Sequence, residues 1–169
     1  MSEKQNDVIE VLTRDHRRLE ALLSELTSTS EPQERRRLAD ELTVEVLRHS
    51  VIEERHLYPE VRRRVPGGTE IADKVIIDQT EVDKHLHRLA TADLSGADFE
   101  PLVTSLMEDL DAHIRDEENY LFPSLTDHFE SDDLVRLGER IESAKREAPG
   151  EGLTDRVRDH LGRDGPGRD

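Results

Sequence analysis

Residues 38–59 recur as residues 102–123, at an offset of 64 and without a gap. Leu38 falls on Leu102, Leu42 on Leu106, Glu45 on Asp109, Val46 on Leu110 and His49 on His113. Glu53 then falls on Glu117, His56 on Tyr120, Leu57 on Leu121, Tyr58 on Phe122 and Pro59 on Pro123. The apolar members are spaced as on a helix with one buried face. Two helical hairpins of one design can bury such faces against each other. The repeat therefore predicts an all-α chain folded as an up-down-up-down four-helix bundle.

The remaining segments fit that plan. A first helix is expected from about Asp7 to Ser28, carrying Ile9, Leu12, Leu19, Leu23 and Leu26. Ser30 is the expected cap of the second helix, with Pro32 in its first turn, and that helix runs into Pro59. Pro66-Gly67-Gly68 reads as a turn, and Thr69 as the cap of a third helix that ends at Ser95-Gly96. A fourth helix starts near Asp98 and runs up to Pro123. Ser131 caps a shorter fifth helix through about Arg146. Residues 1–147 form one domain on this reading, with its core at 7–129. Residues 148–169 are a short amphipathic piece (Leu153, Val157, Leu161) and a tail.

Composition narrows the chemistry. The chain has no cysteine, which removes thiol nucleophiles, iron–sulfur clusters and Cys-type zinc sites. Its 24 basic and 40 acidic residues give a net charge of −16, against the basic face that nucleic-acid binding needs. No apolar run approaches the roughly 18 residues of a membrane span, and no signal-peptide pattern follows Met1. A cytoplasmic protein without a nucleic-acid or membrane partner is expected.

The polar residues on the apolar stripes carry the functional signal. Glu makes up 22 of 169 residues, so about one of the eight histidines should have Glu four places on by chance. Four do: His16, His49, His56 and His113. At about 100° per residue, His49 lies near the centre of the stripe of Leu38, Leu42, Val46 and Ile52, with Glu53 about 40° away. His113 and Glu117 hold the same places on their stripe. A carboxylate facing a bundle interior costs several kcal/mol unless paired or bound to a cation. Two such pairs in matching registers most simply share a metal cluster. His16 also lies on a core face, with Leu12, Leu19 and Leu23.

This pattern resembles the hemerythrin-like HHE cation-binding domains: His on the first helix, His-x-x-x-Glu on the second, His on the third and His-x-x-x-Glu on the fourth. The aromatic-Pro pairs Tyr58-Pro59 and Phe122-Pro123 resemble the family too, and the likeness covers about residues 7–129. The resemblance implies a four-helix bundle around a non-haem iron site, usually di-iron, with His16, His49, Glu53, His113 and Glu117 as ligands.

One position departs from the family. His16 precedes His49 by 33 residues, and the same step back from His113 reaches Gln79–Thr80. Gln79 is followed by Val82, Leu86 and Leu89 at the offsets at which Leu19, Leu23 and Leu26 follow His16. His87 and His85 lie about 80° and 120° off that stripe and read as solvent-facing. An amide oxygen is a poor iron ligand beside an imidazole, so Gln79 binds weakly, holds a metal-bound water or leaves a position open. His56 is either a substitute ligand or a residue at the edge of the site. Glu45 and Asp109, each one turn before a histidine, are the expected acceptors for His49 and His113. Glu20, Glu60, His128 and His160 read as solvated.

Imidazole with carboxylate and no thiolate suits Fe, Mn or Zn. The reading that follows is a hemerythrin-like iron protein that binds or reacts with O₂, peroxide or nitric oxide. A single-metal or zinc-stabilised bundle and a metal-free interaction module are the alternatives.

Overall fold

The computed structural model describes residues 6–147, so the expected amphipathic piece and tail at 148–169 lie outside the described residues. Asp7 opens α1 (Val8–Ser28), its carboxylate accepting the Glu10 N–H at 2.9 Å. That bond satisfies one of the free donors of the first turn. Three residues later α2 (Pro32–Ile52) begins. Its cap is Glu31 rather than Ser30, and no side chain bonds the first turn; Pro32 fixes φ where its missing N–H costs nothing.

Neither motif helix stops at its proline. Beyond Ile52 the chain makes one π-helical turn over Glu53–Leu57 and continues as α3 (Tyr58–Arg64). A proline has no N–H to donate, and its ring collides with the carbonyl four residues back. Widening the turn removes the conflict: the Tyr58 N–H reaches the Glu53 carbonyl, five residues back. The second copy repeats the device. α5 (Phe99–Asp116) passes through a π turn at Glu117–Leu121 into α6 (Phe122–His128), and Phe122 N–H bonds the Glu117 carbonyl.

Between them lies α4 (Gly68–Thr91). Gly67, at φ 72°, supplies the left-handed residue before it, so Thr69 sits inside the helix and does not cap it. α4 ends at Thr91, before Ser95-Gly96. Two arginines of α2 satisfy the carbonyls there: Arg36 donates to Leu89, Ala90 and Ala92, and Arg35 to Leu94. α7 (Ser131–Glu147) follows after two residues. α1 packs on both α2 and α7, and α4 packs on α5. Among the described residues the fold is all-helical.

The buried apolar side chains form two clusters. One gathers Val8, Val11 and Leu12 with Leu57, Tyr58, Val61, Val75, Leu121, Phe122, Leu125, Leu134, Leu137 and Ile141. The other gathers Leu19, Leu23 and Leu26 with Leu42, Val46, Val82, Leu86, Leu106, Leu110 and Ile114. Each long helical stretch crosses from one cluster to the other, and each crosses at a polar residue. His16 stands between Leu12 and Leu19, Gln79 between Val75 and Val82. His49 and Glu53 lie between Val46 and Leu57, and His113 and Glu117 between Leu110 and Leu121.

Gly138 sets how closely α7 can approach. A Cβ there would lie 2.5 Å from the Asn6 carbonyl oxygen and 2.8 Å from the Val8 nitrogen, both backbone. In an open helix Gly→Ala stabilises by about 1 kcal/mol. Here Gly138→Ala is expected to destabilise by about 1–3 kcal/mol, as overpacking does, measured as a lower urea midpoint.

Candidate metal centre

The polar layer brings four side chains together. His49, Glu53, His113 and Glu117 each present a ligand atom, and these atoms lie within 4.8 Å of one another. All four are buried, both glutamates completely. His49 Nε2 is 2.8 Å from Glu53 Oε1, and His113 Nε2 is 2.5 Å from Glu117 Oε1. His16, also fully buried, adjoins this group, with Nε2 3.7 Å from Glu117 Oε2. Its ring lies edge-on to His49 and stacks on Phe122, with centroids 5.0 and 5.8 Å away.

Local geometry explains the convergence. Positions four apart share a helix face, so each His and its Glu point the same way. Each Glu is also the first residue of a π turn, fixed there by the proline six residues on.

Two histidines are held from behind. His49 Nδ1 lies 3.2 Å from Asp15 Oδ2, on α1, and Asp15 is itself paired with Lys145 of α7. His16 Nδ1 lies 3.0 Å from Glu118 Oε2, and Arg17 pairs with the same carboxylate. With Nδ1–H donated outward, Nε2 is the nitrogen turned toward the cluster and, once deprotonated, free to bind a cation. These acceptors differ from the sequence expectation. Asp15, not Glu45, meets His49. Asp109 bonds His85 Nε2 at 2.6 Å instead of serving His113, and His85 is mostly buried rather than solvent-facing. Asp15 and Glu118 act across helices, and their one sequence signal is adjacency to His16 and Glu117. Tyr58, half of an aromatic-Pro pair, also points its hydroxyl at Glu117 Oε1 from 3.5 Å.

The other expected positions separate. Gln79 is buried at the level of the layer, but its amide nitrogen donates to Asp83 at 2.8 Å. His56 is partly exposed and outside the cluster of four; burial, then Arg140 and Arg55, lower its pKa. His87 is partly buried, Glu20 and Glu60 pair with Arg17 and Arg63, and His128 is exposed. His160 lies outside the described residues.

The electrostatics are those of a ligand set. Burial, then the charge of Glu117, pushes the Glu53 carboxyl up to about 8. Burial also pushes Glu117 up, but His113, the contact with Glu53 and His16 together outweigh it and hold Glu117 below the usual range. The two carboxyls titrate as a pair, the raised member keeping a proton where a free carboxyl has lost it. Burial lowers His49 and His113, and is outweighed by Glu53 and Asp15 at the first and by Glu117 at the second, so both end above the ordinary imidazole value. Burial, then His49, takes His16 down to about 3, leaving it neutral. Among the described residues, His16 Nε2, His49 Nε2, His113 Nε2, both Glu53 oxygens and Glu117 Oε2 make no hydrogen bond of good geometry, although His49 and His113 approach Glu53 and Glu117 closely. Buried polar atoms are seldom left so. A divalent cation would use all of these lone pairs, and the donor set of imidazole and carboxylate suits one.

A helical fold with buried His and Glu donors converging between two apolar clusters defines a helical cation-binding class. The family profile for the hemerythrin HHE cation binding domain matches residues 7–125, and the chain belongs to that family. A hemerythrin-like protein of Schizosaccharomyces pombe is 26% identical over 150 residues, covering 88% of this chain and 74% of its own length. A Nostoc protein named a DNA nickase is 25% identical over 145 residues, 85% of this chain; the match spans only 41% of the Nostoc protein. The crystal structure of a hemerythrin HHE cation binding domain-containing protein from Mycobacterium kansasii superposes with a TM-score of 0.74 at 24% identity. It covers 89% of this chain and 98% of that one, and shows the shared fold.

The protonation pattern gives a pH prediction. Between pH 6.5 and about 8 the folded metal-free cluster keeps protons, shared among Glu53, His49 and His113, that the unfolded chain releases. Raised folded pKa values make stability fall as pH rises through that window. Metal binding requires the deprotonated ligands, so saturating metal should cancel or reverse the trend. Urea unfolding of chelator-treated and metal-loaded protein across the window tests this.

Proposed function

We propose that this chain is a hemerythrin-like non-haem metalloprotein whose polar layer holds iron, as a di-iron site, and that it binds or reacts with O₂, peroxide or nitric oxide. The single observation that carries the reading is the cluster of His49, Glu53, His113 and Glu117. Its four buried donors converge from two copies of one motif, and most of their lone pairs are unpartnered. On this reading the long helices run up-down-up-down, with α7 added on the outside.

His16, His49 and His113, with Glu53 and Glu117 from opposite halves, would hold the metal. Iron bound there supplies reversible one-electron chemistry and a coordination site for a small oxidant. The protein's own contribution is positional. Asp15 and Glu118 fix the orientation of two imidazoles. Phe122 walls the site beside His16, and the Tyr58 hydroxyl keeps a proton near Glu117. The apolar clusters on either side exclude water, which slows proton delivery to the site.

Gln79 distinguishes the halves, because its amide is engaged by Asp83 where the first half presents His16. That asymmetry, and donor atoms close enough to surround one ion, favour a single-metal site as the second reading. We do not extend the nickase activity to this chain, whose charge of −16 opposes DNA binding.

Elemental analysis after anaerobic reconstitution with ferrous iron and desalting separates the readings. The di-iron reading expects about two irons per chain and near-ultraviolet charge-transfer absorption on oxidation; one metal per chain supports the second reading. Glu117→Gln and His113→Ala should each lower retained metal at least about tenfold. Full metal content in both variants would place the metal elsewhere.

A further inference from the structure

α7 lies beyond residues 7–125, which the family profile matches. Its buried stripe is Leu134, Leu137, Gly138 and Ile141, with Ala144 partly buried, and it packs against Val8, Val11 and Leu12 of α1. Gly138 lies against the backbone of Asn6, Asp7 and Val8. Seven residues further along α7, Lys145 pairs with Asp15, seven residues beyond Val8 on α1. Seven residues advance any α-helix by about 10.5 Å. Two contacts with equal spacing on both helices mean that α1 and α7 run in the same direction with locked register. The glycine contact thereby delivers the Lys145 ammonium to Asp15.

We infer that Lys145 is a positioning residue for the metal centre, acting through Asp15 on His49. The inference rests on the metal-site reading proposed above. The ammonium has donors and no acceptor. It occupies Asp15 Oδ1 and leaves Oδ2 to accept Nδ1–H of His49 at 3.2 Å, which turns Nε2 toward Glu53 and the cluster. Asp15 is 17% exposed, so without the ammonium its carboxylate is free to rotate toward water. The other half of the molecule provides an internal comparison. Asp78 precedes Gln79 as Asp15 precedes His16. The cation nearest Asp78 is Lys74 of its own helix, at 3.5 Å, which also bonds Asp116 at 2.6 Å. Among the described residues, His113 Nδ1 there has no hydrogen-bond partner. Among the described residues, too, no helix packs on α4 as α7 packs on α1, and the outer bond to the histidine is missing from that half.

The test is a double-mutant cycle on the full chain, read as the rate at which zinc-loaded protein releases metal to a chromogenic chelator. Asp15→Asn should speed release about ten- to 100-fold, the range for outer partners of metal-bound histidines, and Lys145→Met about three- to tenfold. The double variant should match Asp15→Asn alone, and Lys145→Arg should restore most of the wild-type rate. An unchanged rate in Lys145→Met overturns the inference. So does a Lys145 effect that persists undiminished beside Asp15→Asn, since that would be mere docking of α7. A second readout needs no metal. In metal-free protein the His49 Nδ1 proton should be slow to exchange by NMR in the wild type and fast in Lys145→Met; equal exchange counts against the inference. Failure of the wild type to retain any metal would instead refute the metal-site reading, with the proton signal still deciding whether Lys145 orients His49.

Discussion

The fold is organised around one unfavourable burial. Two glutamates and three histidines are removed from water in a single layer, with apolar clusters on either side. Transfer of such groups costs several kcal/mol each unless opposite charge meets them. In the metal-free chain that compensation comes from protons that Glu53, His49 and His113 share and hold more tightly than in water. Every helix that crosses the layer contributes a polar residue at the crossing. The apolar residues alone would close two separate cores; the layer joins them and gives the molecule its one chemically distinct region.

Duplication supplies the layer with matched parts and then departs from symmetry. His49 with Glu53 and His113 with Glu117 are equivalent, down to the π turn that follows each. The flanking helices differ: α1 brings His16 and α4 brings Gln79. Support differs as well, since α1 is backed by α7 and carries the Asp15 contact. Two equivalent cores within inequivalent surroundings make the two ends of the polar layer chemically distinct.

How much of this is legible in the sequence depends on the range of the interaction. Helical spacing and the repeat reveal the all-α fold, the inward faces of His16, His49, Glu53, His113 and Glu117, and the burial of Gln79, because these follow from periodicity within one helix. The partners of His49 and His16 are Asp15 and Glu118, 34 and 102 residues away. Their identity depends on how helices rotate against one another, and one-turn neighbours such as Glu45 and Asp109 are poor guides to it. Helix ends are hard to read from the sequence for a related reason. Pro59 and Pro123 look like terminators under the rule for a straight α-helix, and only a wider turn lets the chain pass them.

That wider turn has a geometric corollary. A π turn takes up one more residue than an α turn while advancing the axis little, so everything after it is rotated by about one residue, near 100°. Tyr58 and Val61, like Phe122 and Leu125, face the cluster that holds Val8 and Leu12 only because of that offset. The inward stripe before Glu53 and the stripe after it therefore belong to different phases of one continuous rod. Deleting a single residue from either turn would close it to an α turn and leave those later faces where they are, but it would return the proline ring to the carbonyl four residues behind it; the extra residue is the room that each proline occupies.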